Sequence, residues 1–163
     1  KFRFDIVDIQ NIPYEDDSFD MVIANMMLYH IPDLKKALCE VKRVLKSGGT
    51  FYCATFGENG AVEGLAKMLD VSDSFGGTRY TFTLQNGAEK LAEHFGSVKK
   101  LIYDDSLEVT DMTDMTAYIH SLAGMSDIAE LSDDEIRNKL LPFDVGGVLK
   151  LPKEYGLFIC SGS

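Results

Sequence analysis

Apolar residues recur along this chain at two spacings, which predict alternating strands and helices. Residues 19–24 form an apolar run that is too short for a helix and lacks the alternation of a half-exposed strand. We therefore expect a strand that is covered on both faces, as in a parallel sheet. Residues 4–9, which are rich in β-branched and aromatic side chains, and residues 50–55 predict two further strands.

A helix is predicted between residues 33 and 49, because apolar side chains recur there at helical spacing. Asp33 is the expected N-cap, and the basic and glycine residues at 46–49 are expected to close the helix. Strand, helix and strand joined by short links are typical of a parallel sheet with helices on its faces. The central part of the chain is therefore predicted to be α/β.

Three more helices follow from the same spacing, near residues 62–69, 88–95 and 112–122, and Thr83 is the expected cap of the second. Ser132 has the spacing of a capping box and begins one more.

The second half of the chain also predicts extended stretches on either side of residues 104–106. Residues 148–151 and 157–160 are expected to form a terminal pair of strands, and residues 72–79 a loop.

Length and composition favour one soluble domain. The chain has 163 residues with 45% hydrophobic content, which is enough for one cored domain and too little for two, so residues 1–163 are interpreted as a single domain. Its net charge of −10 comes without a basic stripe, which disfavours nucleic acid as a partner. No apolar stretch approaches the roughly 20 residues of a membrane span, so a cytoplasmic protein without membrane contact is expected.

Cysteines and histidines indicate no metal centre. Cys39, Cys53 and Cys160 are odd in number, widely separated and embedded in apolar segments, so we expect buried free thiols. The three histidines show no ligand spacing with one another or with the cysteines.

Candidate chemistry lies where the predicted strands end. Ligands of open α/β sheets bind beyond the carboxyl ends of the strands, where Asp8, Asn25 and Phe56 are expected. The Asp8 carboxylate could accept a hydrogen bond from an exocyclic amine, while the Ile9 N–H and side chain could meet a flat ring such as adenine. The alternative is that Asp8 caps the turn at residues 10–11, and both interpretations remain open.

The stretch after Asn25 allows two interpretations as well. Met26, Met27 and Leu28 could simply pack in the core. Tyr29 and His30 are harder to explain that way, because an amphipathic ring and a titratable imidazole follow the same strand.

Three segments resemble motifs of a known protein family, and they occur in the same order as in that family. They are residues 8–20 (DIQNIPYEDDSFD), 28–33 (LYHIPD) and 40–49 (EVKRVLKSGG). This central block, residues 4–56, resembles class I S-adenosylmethionine-dependent methyltransferases, in the subgroup similar to the quinone-biosynthesis C-methyltransferases. The resemblance implies a Rossmann-like sheet with an antiparallel C-terminal strand and S-adenosylmethionine as the cofactor. It also implies methyl transfer to a small-molecule acceptor, with residues 57–163 shaping the acceptor side.

Residue roles follow from the resemblance alone. It implies that Asp8 contacts the adenine amino group and Ile9 the ring, with Asn25 and Met26 near the methionine part of the cofactor.

On the acceptor side, the resemblance implies that Tyr29 and His30 face the methyl acceptor. Methyl transfer is an in-line displacement that depends mainly on proximity and orientation. Where an acceptor must lose a proton, His30 is the first candidate base and Tyr29 the second.

The chain also departs from the family pattern. The family's cofactor platform begins upstream with a strand, a glycine-rich turn and a second strand that ends in an acidic residue, whereas no glycine precedes Asp8 here. We therefore expect an N-terminally truncated, incomplete domain that lacks the first two strands and their helices, roughly 60 residues at about 30 per βαβ unit. Such a piece is expected to be inactive alone.

The truncation has a structural consequence. In the family's strand order, 3-2-1-4-5-7-6, the missing strands lie between the strand that ends at Asp8 and the strand that ends at Ala24. We expect the first strand to collapse onto the second, to be displaced, or to pair with another copy in a homodimer through exposed edges.

Two other functions remain as alternatives. One is a non-catalytic methyltransferase-like module for oligomerisation or partner binding. The other is a hydride-transferring nucleotide enzyme, which would also require the glycine turn.

Overall fold

The computed structural model describes residues 2–71, 80–122 and 131–162. The strands and helices of these residues are β1 (Phe19–Asn25), α1 (Leu34–Val44), β2 (Leu45–Phe56), α2 (Ala61–Met68), α3 (Gly87–Ala92), β3 (Ser97–Val109), α4 (Met112–Ser121), α5 (Asp133–Leu140) and β4 (Leu149–Ser161). Short 3₁₀ turns lie at Leu28–His30 and Leu141–Phe143. The predicted loop at residues 72–79 lies outside the described residues.

The strands form one mixed sheet in the order β1-β2-β4-β3. β1 pairs with β2 in parallel, and β4 pairs with β2 antiparallel. Because α1 connects two parallel neighbours, both strands end at the same edge of the sheet, with Asn25 opposite Ala54. The predicted α/β class is confirmed.

Helix α1 begins as predicted. The Asp33 side chain accepts a hydrogen bond from the backbone N–H of Lys36 at 2.9 Å, which is the geometry of an N-cap. The residues that this helix buries share one face, and they are Ala37, Leu38, Val41 and Val44. Burial of this stripe fixes the helix on the sheet.

The predicted end of α1 is wrong. The helix ends at Val44, and Leu45 is already extended (φ −77°, ψ 133°) and pairs with Phe19. Residues 46–49 form an irregularity in the ladder, because the next pair joins Met21 to Thr50. Gly48 has φ +80° there, so the glycines permit a bulge instead of a helix cap.

The predicted strand at residues 4–9 is wrong as well. These residues belong to no strand, and Phe4 and Ile6 are 91% and 106% exposed. β-branched and aromatic residues favour an extended backbone, but a strand also needs a neighbouring strand that binds its backbone N–H and C=O groups. Among the described residues the sheet ends at β1, so this segment has no neighbouring strand.

Several predictions in the second half can be compared directly with the structure. The helices near residues 62–69 and 112–122 are confirmed as α2 and α4, and the capping box of α5 is present between Ser132 and Glu135. The predicted Thr83 cap lies one turn earlier than α3 begins: the Thr83 hydroxyl accepts from the N–H groups of Gln85 and Asn86 at 3.3 Å and so caps the turn that leads into α3, which starts after Asn86.

The predicted terminal strand pair is one continuous strand, β4. Its ladder with β2 begins only at Tyr155, so the missing N–H of Pro152 costs no hydrogen bond there. The two stretches around residues 104–106 are likewise one strand, β3.

The described residues divide into two compact units. The first consists of Lys1–Gly57, Tyr80–Tyr103 and Tyr155–Ser163, and the second of Glu58–Arg79 and Asp104–Glu154. The first core contains Leu28, Leu38, Val41, Phe51, Phe82, Leu91 and Phe158, and the second Leu65, Leu69, Met115, Ile119, Ile136, Leu140 and Leu151. All candidate site residues from the sequence lie in the first unit.

The thiol prediction is confirmed for two cysteines and wrong for the third. Cys53 and Cys160 are free and fully buried, and the hydrogen bond with Cys160, together with burial, raises the pKa of Cys53. Cys39 is exposed on α1, with its Sγ 3.8 Å from His94 Nδ1. Its position lies outside the apolar stripe of that helix, and this periodicity decides its exposure.

Gly156 provides a test of the packing between β4 and its neighbours. A Cβ at this position would lie 2.6 Å from the Leu101 carbonyl oxygen and 2.8 Å from Leu84 Cδ2. We expect Gly156→Ala to lower the free energy of unfolding by about 1–3 kcal/mol, measured by urea denaturation. Gly96→Ala is the matched control, because a Cβ there meets nothing closer than 3.8 Å. Equal stabilities of the two variants would contradict the close approach.

Candidate active site

The parallel pair β1 and β2 ends in a polar and strained turn. Asn25 is the last residue of β1 and is exposed, and the Met26 N–H extends the ladder by donating to the Ala54 carbonyl at 3.0 Å. Met26 has φ +52°, in the left-handed region that residues other than glycine rarely adopt. Such conformations cluster at functional sites, where the surrounding structure enforces them.

The turn that follows carries both predicted acceptor-side residues. Leu28 is fully buried and anchors the turn, while Tyr29 is half-buried and His30 exposed. The Tyr29 ring lies 4.3 Å from the His30 ring and 4.5 Å from the Phe56 ring at the end of β2. The core interpretation therefore holds for Leu28 but not for the exposed imidazole.

Tyr80 completes an aromatic cluster of Tyr29, His30, Phe56 and Tyr80. Its ring lies edge-on to Phe56 at 4.6 Å and to Tyr29 at 6.2 Å, and the residue is 37% exposed. Aromatic pairs favour such edge-to-face contacts. Sequence reasoning missed Tyr80, because its partners precede it by 24 and more residues and it belongs to no motif of its own.

Helix α3 supports this cluster through the backbone. The Thr81 hydroxyl donates to the Tyr29 carbonyl at 3.1 Å, and Lys90 of α3 donates to the Thr81 carbonyl. The position of Tyr29 is thus fixed from both sides, by Leu28 in the core and by Thr81.

Asp8 caps a turn in the structure. One carboxylate oxygen, Oδ1, accepts from the Gln10 N–H at 2.9 Å, and the Asp8 carbonyl accepts from the Asn11 N–H at 2.9 Å. Asp8 is exposed, whereas Ile9 is half-buried and packs against the first core. The cap does not exclude ligand binding, because an ionised carboxylate has about four acceptor positions on two oxygens.

The Asp8 turn and the Tyr29 turn both adjoin the start of α1. The Gln10 side-chain oxygen accepts from the Asp33 N–H at 3.0 Å, and Asp33 is the N-cap that follows the Leu28–His30 turn. The structure therefore gathers the predicted residues around one end of α1, although Asp8 follows no strand.

Two residues on another face of α1 hold the segment between Asp8 and β1, and we call them the Glu40–Arg43 clamp. Arg43 donates to the carbonyls of Ile12 at 2.9 Å and Tyr14 at 2.8 Å, and to Asp16 Oδ1 at 2.8 Å. Glu40 Oε2 accepts from the Ile12 N–H at 2.9 Å. Both backbone groups of Ile12 are thus bound by side chains of α1.

The clamp residues also bind each other. Arg43 Nε and Nη2 each lie 2.8 Å from one oxygen of Glu40, which is the two-pronged geometry of a strong guanidinium–carboxylate pair. The hydrogen bond from Arg43, supported by the Ile12 N–H, lowers the pKa of Glu40 to about 2. The same contacts raise the pKa of Arg43. Glu40 therefore stays ionised under all but strongly acidic conditions.

Comparison with known proteins finds methyltransferases that are similar to the part of the chain that carries these motifs. Residues 2–53 match the family model described as a methyltransferase domain. Methyltransferase GfsG of Streptomyces halstedii is 31% identical over 116 residues, which are 71% of this chain and 38% of that protein. Ubiquinone/menaquinone biosynthesis C-methyltransferase UbiE of Brucella anthropi is 43% identical over 49 residues, which are 30% of this chain and 19% of that protein. The chain spans well under two thirds of these relatives.

Solved structures agree on the fold. The YcgJ protein of Bacillus subtilis superimposes with a TM-score of 0.58 at 19% identity, over 99% of this chain and 71% of that one. Among the described residues, none of the helices combines the length and apolarity needed to cross a bilayer. No cluster of three or more metal-binding side chains occurs among them either.

The clamp predicts a particular dependence of stability on pH. Because the pKa of Glu40 falls from its ordinary 4.5 to about 2 on folding, its contribution is complete above about pH 4.5 and is lost as the pH falls through about 2. We expect Glu40→Gln to lower the free energy of unfolding by about 1–2 kcal/mol at pH 7, with the difference from wild type shrinking towards pH 2. Thermal denaturation between pH 7 and 2 measures it.

Asp20→Asn is the control for this experiment, because Asp20 also pairs with a cation, Lys46, but on the exposed surface. Exposed pairs contribute little to stability, so we expect a small change at every pH. A constant difference between wild type and Glu40→Gln across the whole pH range would contradict the assignment.

Proposed function

We propose that this chain belongs to the class I S-adenosylmethionine-dependent methyltransferases that it resembles, and that its protein transfers the cofactor's methyl group to a small-molecule acceptor at the edge where β1 and β2 end. The observation that carries this proposal is the parallel pairing of these two strands. It gathers Asn25, Met26 and the aromatic cluster at the edge where α/β sheets bind ligands.

The residues present fit two parts of the cofactor. The second oxygen of Asp8 suits the adenine amino group, since Oδ1 already holds the turn, and the half-buried Ile9 offers an apolar surface for the ring. Asn25 and the left-handed turn at Met26 supply an exposed amide and redirected backbone for the methionine end. The chain spans 38% of methyltransferase GfsG, and we propose that the 163-residue chain alone is inactive.

When bound, the cofactor supplies an electrophilic methyl group on a positively charged sulfur. The role of this chain is then to orient the acceptor and to exclude water. Tyr29, Phe56 and Tyr80 offer ring faces and edges that can hold an apolar or flat acceptor beside Met26. His30 is the exposed imidazole of the cluster, so it is the group that accepts a proton where the acceptor must lose one.

A second candidate function is association of chains, and the exposed edge of β1 favours it. Met21 and Ile23 are 51% and 65% exposed, and Phe2 and Phe4 are each 91% exposed. Large exposed apolar side chains beside a free strand edge are typical of interaction surfaces. In this alternative the chain is a methyltransferase-like module that pairs with a second copy, without catalysis.

Binding of S-adenosylhomocysteine tests the adenine contact. In the protein as its gene encodes it, we expect Asp8→Ala and Asp8→Asn to weaken binding by about tenfold or more, because each removes a charged acceptor. Isothermal titration calorimetry measures the change. Asp8→Asn separates the two roles, because its amide oxygen can still cap the Gln10 turn; wild-type affinity in this variant would mean that Asp8 is a turn cap only.

Asp20→Asn serves as the matched control, because this carboxylate lies at the opposite end of β1 from Asn25. The same titration of the 163-residue chain checks its proposed inactivity. Wild-type affinity in that chain would contradict the proposed inactivity and leave the function in place.

The role of His30 is tested by turnover. We expect His30→Ala to lower kcat by roughly 100-fold or more for an acceptor that must be deprotonated, because general-base catalysis contributes about 10²–10⁴. Cofactor affinity should stay within twofold, since His30 lies on the acceptor side. Steady-state methyl transfer measured from pH 5 to 9 gives both values, with Tyr29→Phe as the comparison. Unchanged turnover in His30→Ala would exclude the base role.

A further inference from the structure

The segment between Asp8 and β1 is held almost entirely from one side. Its contacts with α1 come from Asp33, Glu40 and Arg43, which are seven and three residues apart and so share one stripe of the helix. In addition, the Asp17 N–H donates to the backbone carbonyl of Arg43 at 3.0 Å. The side chains of the Glu40–Arg43 clamp therefore hold residues 12–16, while Asp33 binds Gln10 and the Arg43 backbone binds Asp17.

Support from the other side is weak. Residues 2–7 belong to no strand, and the largest of their side chains are exposed. Their contact with the segment is the Tyr14 hydroxyl, which donates to Asp5 Oδ2 at 3.0 Å, and Asp5 in turn pairs with Arg3. Arg43 binds the carbonyl of the same Tyr14, so the position of this contact also depends on the clamp.

The clamp is separate from the contacts that keep α1 on the sheet. The helix buries Ala37, Leu38, Val41 and Val44, whereas the side chains of Glu40 and Arg43 are 19% and 31% exposed. Loss of either clamp residue therefore leaves the apolar face intact. What it frees is the backbone at Ile12 and Tyr14, and with it the turn that presents Asp8 and Ile9.

We propose that Glu40 and Arg43 are positioning residues for the cofactor: they hold residues 12–16 against α1 so that Asp8 and Ile9 are fixed for the adenine. Neither residue touches the proposed ligand or the reacting atoms. This inference rests on the proposed function, since it concerns the adenine side of that same site.

The order of the contacts explains how the effect reaches Asp8. Ile12 is bound through both its N–H and its carbonyl, and its side chain packs against the first core beside that of Ile9. Three residues separate Ile12 from Asp8, and two of them, Gln10 and Asn11, are hydrogen-bonded to Asp8. A fixed Ile12 thus fixes the turn, which keeps the Asp8 carboxylate ordered before the ligand arrives and lowers the ordering cost of binding.

The test is a comparison of Arg43→Gln, Arg43→Lys and Glu40→Gln with wild type in the protein as its gene encodes it. We expect Arg43→Gln and Glu40→Gln to raise the KM for S-adenosylmethionine on the order of tenfold, with kcat at saturation within about twofold. Arg43→Lys should recover part of the loss, because an ammonium can form one ion pair but not the two-pronged contact.

Hydrogen exchange of the free protein provides a second readout. In the Gln variants we expect faster exchange at the Ile12 amide and unchanged exchange within β1 and β2. Lys46→Gln is the matched control: Lys46 is a nearby cation that pairs with Asp20 at 2.9 Å and is not bonded to residues 10–17. It should leave both the KM and the exchange pattern unchanged.

The outcomes separate the two proposals. A merely structural role would lower kcat through loss of folded protein at unchanged KM, and that result overturns the positioning role. Wild-type KM in all three variants overturns it as well. If wild type itself shows neither binding nor transfer with S-adenosylmethionine, the proposed function fails and the positioning role fails with it.

Discussion

The parallel pairing of β1 with β2 is the constraint on which the rest of this unit depends. Parallel neighbouring strands require a crossover connection, and α1 provides it. The N-terminal end of α1 therefore lies at the edge of the sheet where β1 ends. Asn25, the turn through Tyr29 and the N-cap Asp33 consequently follow one another at that edge. These candidate site residues are close together in sequence because they all belong to the connection between β1 and α1.

Helix α1 has two separate roles on two faces. Its apolar stripe attaches it to the sheet, and its polar stripe, Asp33, Glu40 and Arg43, holds a segment that comes before β1 in the chain. The first role depends on burial of apolar surface, which changes little with pH. The second role depends on hydrogen bonds between charged groups, which require a defined geometry. These bonds weaken in strong acid, where Glu40 becomes protonated. One element thereby couples the sheet to the candidate adenine side of the site.

Local patterns predicted much of this unit from the sequence. The strand at residues 19–24, the Asp33 cap, α1 and the strand at residues 50–55 follow from periodicity and capping, which act over a few residues. What the sequence could not provide is long-range: the absence of a neighbour for residues 4–9, the ring contacts of Tyr80, and the partners of Arg43, which lie about 30 residues upstream. The glycines at 48 and 49 fit a helix cap and a bulge equally well, and only the pairing of Met21 with Thr50 decides between them.

The two interpretations of Asp8 are better understood as one arrangement. A carboxylate that bonds the Gln10 N–H through Oδ1 has lost the freedom to rotate, so its other oxygen is held in a defined direction. The turn that the cap stabilises is in turn tied to α1 through Gln10 and Asp33. A capping role therefore does not compete with ligand binding at this position, because it provides the order that a ligand would otherwise have to impose.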